Sequence, residues 1–102
     1  MRVRFVQSGG FVGGVRECEL DSAAMPAGEA RELESLVRAS GIGVSGRFTS
    51  PAGRDLRAYD IRVEEEGRAV AVTYDDETLP PEARPLVSFL RRIAAPRGAG
   101  DQ

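Results

Sequence analysis

The chain has no histidine, no lysine and one cysteine in 102 residues. Without histidine it lacks the usual general base, the Ser–His and Cys–His nucleophile pairs and the commonest metal ligand. The lone Cys18 excludes an internal disulfide and any multi-cysteine zinc site. In its alternating stretch Cys18 reads as a small buried hydrophobe, the other reading being a reactive thiol. An enzyme would have to work with carboxylates, tyrosine or serine alone. The pairs available are Asp60 with Glu64 and Tyr59 with Asp60, which also read as a solvated strand face. No apolar run approaches the roughly 20 residues of a membrane span, and no apolar signal region follows Met1-Arg-Val-Arg-Phe5. The expectation is a cytoplasmic protein with no membrane partner, no metal and no cofactor.

Fourteen arginines against sixteen acids leave a net charge of -2. The arginines are interleaved with acids along the chain and form no basic stripe, so nucleic acid is not expected as a partner. The hydrophobic fraction of 41% and the charged fraction of 29% are those of a soluble globular protein. The length suits one domain with a modest core, expected to be a monomer when free. Residues 1–95 read as that domain and 96–102 as a disordered tail.

The most informative stretch is Gln7-Ser-Gly-Gly-Phe-Val-Gly-Gly-Val15. Strand-like alternation precedes it in Arg2–Gln7 and resumes through Val15-Arg-Glu-Cys-Glu-Leu20. Glycine supplies the positive φ of a tight hairpin turn, so residues 2–7 and 11–20 are predicted to pair around a Ser8-Gly9-Gly10 turn. Gly13-Gly14, inside the returning strand, marks a bulge or a close backbone approach. The tip is thus kinked, nearly free of charge, and carries one large apolar side chain, Phe11.

A helix is predicted from Pro26 to Ser40. Pro26 suits the first turn, Ala30, Leu33 and Val37 with Leu36 form an apolar stripe, and Gly41 closes it. Residues 41–54 read as a long loop rich in Gly, Ser and Pro, tethered to the core by Ile42, Val44 and Phe48. A second hairpin follows: Leu56–Glu64, a Glu65-Glu-Gly-Arg68 turn, and Ala69–Tyr74. The acids Glu64–Glu66 read as a solvated tip, and Asp75-Asp76-Glu77 as complements to a following helix dipole. Leu79–Ile93 reads as the last helix, with Ala83, Leu86, Leu90 and Ile93 on one face and Val87 and Phe89 flanking. Asp21-x-x-x-Met25-Pro26 and Glu29-Ala-Arg31 are echoed by Asp75-x-x-x-Leu79-Pro80 and Glu82-Ala-Arg84. The echo reads either as a degenerate ββα duplication or as the general preference of such joints for Asp and Pro. The fold class expected is α+β: a two-layer sandwich, ββαββα, with a four-stranded, mainly antiparallel sheet and two helices on one face.

Ser8-Gly-Gly-Phe11 after a basic first strand, Tyr59-Asp-Ile-Arg-Val63 before an acidic glycine turn, and Leu79-Pro-Pro-Glu-Ala-Arg-Pro-Leu86 together resemble the emfourin family. Emfourins are small protein inhibitors of protealysin-type, thermolysin-like zinc metalloproteases. The resemblance runs from about residue 1 to 93. It departs from the family pattern in the glycine-rich 41–54 loop and in the second glycine pair, and both bear on the choice of target. It implies a protease inhibitor whose partner is a thermolysin-like metalloprotease. The protease-binding residues it suggests are Ser8, Gly9, Gly10, Phe11, Val12 and, from the loop, Phe48. Phe11 has two readings: the apolar anchor in the partner's cleft, or the first core residue of the returning strand. Two other functions fit the same sequence, a non-inhibitory interaction module or regulatory subunit, and an enzyme built on the carboxylate pairs above.

Overall fold

The structure, a computed structural model, describes residues 1–10, 14–51 and 55–96. Strands β1 (Arg2–Gly9) and β2 (Val15–Asp21) form an antiparallel hairpin that leads through a 3₁₀ turn into α1 (Ala27–Ala39). A short strand β3 (Gly46–Phe48) precedes the second hairpin, β4 (Arg57–Glu65) and β5 (Arg68–Asp75). Another 3₁₀ turn, Pro81–Ala83, opens α2 (Arg84–Ile93), and Ala95–Pro96 adds a two-residue β6 beside β2. The strand order is β3-β5-β4-β1-β2-β6.

This corrects the expected four-stranded ββαββα sheet. Five strands, extended by the β6 pair, make a mixed sheet, because β3 runs parallel to β5 while the other pairings are antiparallel. The missed strand lies inside the stretch read as a loop. Gly46-Arg47-Phe48 is too short to show alternation, and a long-range partner dictates its conformation. Phe48 stacks on Tyr74, with ring centroids 5.6 Å apart. A Cβ on Gly46 would lie 2.5 Å from the Phe48 ring, so only glycine lets the ring cross the strand there. Of the three residues expected to tether this stretch, Ile42 packs against the core and Phe48, though partly exposed, stacks on the core residue Tyr74, whereas Val44 is exposed.

The class, α+β with two helices over one sheet face, follows from the alternation. Val3 and Phe5 on β1, Tyr59, Ile61 and Val63 on β4, and Val72 and Tyr74 on β5 are buried. Cross-strand register aligns them, Phe5 facing Ile61 and Ile61 facing Val72. Leu33 and Val37 of α1 and Leu86, Val87, Phe89 and Leu90 of α2 complete the same cluster. Ile93, expected on the buried face of the last helix, is exposed, and Ala94 is buried in its place. The reason is local: Ala94 leaves the helix with extended φ and ψ. Cys18 is half-buried, its thiol 3.7 Å from the Leu90 carbonyl, and burial pushes its pKa up to about 11. That is the small hydrophobe of the two readings.

The sequence echo is also an echo in geometry. The Asp21 carboxylate accepts from Ala23 N–H at 3.0 Å, and the Asp75 carboxylate accepts from Glu77 N–H at 2.8 Å. Pro26 (φ −54, ψ 144) and Pro80 (φ −64, ψ 145) then take the same conformation ahead of their helical segments. The helix expected over 79–93 opens later than that, with the 3₁₀ turn at Pro81 and α2 at Arg84, Pro85 occupying its first turn.

Leu90 is fully buried between α2 and the sheet. Leu90→Ala is expected to lower the unfolding free energy by about 3 kcal/mol in urea denaturation, the usual cost of a core leucine deletion. A loss under about 1 kcal/mol would contradict this packing.

Candidate functional site

Every strand that reaches the β1–β2 turn brings a loop to the same end of the sheet. Phe48, Tyr74, Tyr59, Gln7 and Arg16 pair in one row across β3, β5, β4, β1 and β2. Just beyond that row lie the tip after Gly9, the connection from Thr49 to Leu56, and the turn after Asp75. The row thus places Phe48 and the glycine tip at one end of the molecule. Three strand spacings separate them, about 14 Å at the usual interval.

Of the residues expected to bind a protease, Ser8 is the last side chain of the ladder before the tip, between Val15 and Ala58. Gly9 and Gly10 follow with φ of 77° and 85°, the left-handed region that favours glycine. A Cβ on Gly9 would lie 3.0 Å from the Leu56 carbonyl oxygen, and one on Gly10 2.9 Å from Arg57 Cγ. The chain's own 56–57 segment thus approaches these two glycines closely, whereas at Gly14, just ahead of β2, a Cβ would meet nothing within 4 Å, and Gly13 lies outside the described residues. Phe11 and Val12 lie outside the described residues. Phe48 is 46% exposed, a large apolar ring stacked on Tyr74 and lying over Gly46.

Two adjacent carboxylates hold this end together. Asp75, 2% exposed, accepts through Oδ2 from Ser50 N–H at 2.6 Å. Its Oδ1 accepts from Glu77 N–H at 2.8 Å and Thr78 N–H at 2.9 Å. Thr78 Oγ1 in return accepts from Asp75 N–H at 2.9 Å. Asp76 Oδ2 accepts from Arg57 N–H at 2.9 Å, and its Oδ1 accepts from the Tyr59 hydroxyl. The long connection is thereby fastened near both ends, at Ser50 and at Arg57. Backbone donors, Ser50 N–H first, hold the Asp75 carboxyl down at about 2 against the opposing effect of burial. The Tyr59 hydroxyl is pushed above its ordinary range by burial, with Asp76 adding to the shift. These carboxylates bind the turn and the loop, not the α2 dipole, which begins only at Arg84.

Beside the tip, an open groove of about 1100 Å³ runs between the sheet and the helices. Gly9, Gly10, Gly14 and Arg16 border it on the hairpin, and Glu32 and Leu36 on α1. Arg57, Arg91 and Arg92 also line it, arginines from separate elements whose convergence no local spacing could reveal.

The carboxylate pairs considered for catalysis are not brought together. Asp60 accepts from the Thr73 hydroxyl at 2.5 Å on the outer face, whereas Tyr59 points into the core. Glu64 pairs with Arg2 at 3.8 Å and Arg62 at 3.0 Å. Among the described residues, no group of three or more acidic or cysteine side chains is placed to hold a metal ion. Among the same residues, no helix is long and apolar enough to cross a membrane.

The model of the emfourin family matches residues 5–91, and the chain belongs to that family. Membership points to a protease-inhibitor role, with a protease as partner in general terms, and is consistent with a protein that is not an enzyme. No curated protein and no solved structure matches the chain significantly.

Asp75→Asn keeps one acceptor oxygen where two are used, and so loses either Ser50 or the Glu77–Thr78 turn. It is expected to lower Tm near neutral pH. Because folding depresses this pKa, the carboxylate's contribution is complete above about pH 4 and disappears as pH falls through about 2. The Tm gap between wild type and variant should therefore close over that window. A gap that stays constant down to pH 2 would contradict the role.

Proposed function

We propose that this protein is a reversible inhibitor of a thermolysin-like, protealysin-type zinc metalloprotease, acting as a monomer and blocking the active-site cleft with its glycine-rich tip. The observation that carries the reading is the emfourin match over residues 5–91. The chain's physical design is compatible with it. An inhibitor of this kind needs no reactive group, only a surface ordered before docking so that little entropy is lost on binding. The close approach of Leu56 and Arg57 to Gly9 and Gly10, and the hydrogen bonds that hold Ser50 and Arg57, are compatible with such a surface.

In this reading Ser8, Gly9, Gly10, Phe11 and Val12 enter the cleft, and Phe11 fills an apolar subsite near the partner's zinc. Phe48 makes a second contact from the same end of the sheet. The chain does not have to ligate that zinc. With no histidine and its one thiol, Cys18, turned toward the Leu90 carbonyl, the chain could offer a carboxylate, a carbonyl or a terminal amine.

Titration against a thermolysin-like protease cleaving a small peptide tests the proposal. The expected result is stoichiometric loss of activity. Full activity at saturating protein would overturn the inhibitor reading and favour a non-inhibitory interaction module. Phe11→Ala separates the two roles of that side chain. Inhibition weakened about a hundredfold or more at unchanged Tm marks a binding anchor, since such residues typically carry most of an interface's energy. A Tm lowered by several degrees with inhibition retained marks a core residue.

A further inference from the structure

The arginines are not all used alike. On the outer sheet face Arg2 and Arg62 pair with Glu64, and Arg4 pairs with Glu17. Arg38 of α1 pairs with Glu34 and Glu65. Arg16, Arg57, Arg91 and Arg92 are exposed, and among the described residues none of them enters an ion pair. All four line the groove beside the tip, where Glu32 is the single carboxylate among the described residues. The described part of the groove thus carries a local positive excess in a chain of net charge -2. The Arg92 guanidinium stands 5.9 Å from the centroid of the Phe89 ring, which restrains one of the charges.

We propose that the groove receives an acidic polypeptide segment of the protein that the tip engages, which gives the tip a second, electrostatic foothold. This rests on the inhibitor reading. Carboxylates of the segment meet the four guanidiniums, in the planar, two-bonded geometry that arginine favours. The inhibitor reading makes the partner a protein, so these carboxylates are those of a polypeptide. Gly9, Gly10 and Gly14 border the groove, so it adjoins the base of the tip that the inhibitor reading places in the cleft. Charge of this kind acts mainly on the rate of encounter, commonly by tenfold or more at low salt.

Two measurements test this, using the full chain and the double variant Arg16→Glu/Arg91→Glu, with Arg16→Gln/Arg91→Gln as a milder control. In stopped-flow association with the inhibited protease, the wild-type rate should fall steeply as salt is raised. The Glu variant should start about tenfold lower or more and depend little on salt. If wild type and both variants associate alike at every salt concentration, the groove proposal is overturned while the inhibitor reading stands. The second measurement does not need inhibition: NMR titration of the free protein with an Asp/Glu-rich octapeptide, beside a dT8 oligonucleotide. Shifts of the Arg16, Arg57, Arg91 and Arg92 side-chain Nε–H signals with the peptide, absent in the Glu variant, support the groove. No shift, or an equal response to the oligonucleotide, overturns it. If wild type fails to inhibit, the inhibitor reading falls by that result alone, and the titration still decides whether the groove takes acidic peptide.

Discussion

The structure depends on how two neighbouring carboxylates at the end of β5 are satisfied. Asp75 is nearly inaccessible to water, and a buried charge is tolerated only when hydrogen bonds replace the lost hydration. Three backbone N–H groups do so, one from the far connection at Ser50 and two from the turn at Glu77 and Thr78. Asp76 takes Arg57 N–H and the Tyr59 hydroxyl. A connection that would otherwise cost entropy on every encounter is tied down at both ends, and its Leu56–Arg57 segment in turn lies against the glycines of the first hairpin. The contacts run from β5 to Ser50 and Arg57, and from Leu56 and Arg57 to Gly9 and Gly10.

The two halves of the chain solve the same problem with unequal investment. Both hairpins end in an aspartate that closes a turn ahead of a proline and a helical segment. Asp21 does only that and is partly exposed, whereas Asp75 is buried and reaches across to a distant segment. The hairpin turns differ in the same sense. The β4–β5 turn is tight, with Glu66 and Gly67 both at positive φ, and its flanking residues form ion pairs. The longer β1–β2 turn is glycine-rich and lies beside the arginine groove. One end of the sheet is therefore a plain closure and the other a built surface.

Much of the fold was legible because it rests on local periodicity. Alternation in 2–7, 56–64 and 69–74 and the stripe at Ala30, Leu33 and Val37 correspond to real strands and to a real helix face. What local pattern could not carry depends on partners distant in sequence. Gly46–Phe48 is a strand only because β5 and Tyr74 lie beside it. Asp75 and Asp76 looked like helix-dipole acids, since nothing nearby in the chain announces Ser50 or Arg57 as their donors. Cys18 and Ala94 gained their surroundings from α2 and from the way that helix ends. The glycine tip was visible as a tip, but the 56–57 segment that approaches its glycines was not, and Phe11 lies outside the described residues. The groove is the clearest case: Arg16, Arg57 and the Arg91–Arg92 pair are scattered in sequence and meet only through topology.

Amide hydrogen exchange at Ser50 and Arg57 in the free protein tests most directly whether this end of the molecule is ordered before it meets a partner. If the Asp75 and Asp76 carboxylates hold these two amides, both will exchange far more slowly than in unstructured peptide, in step with the β4–β5 ladder. Exchange of both at unstructured-peptide rates, while the ladder stays protected, would contradict the account.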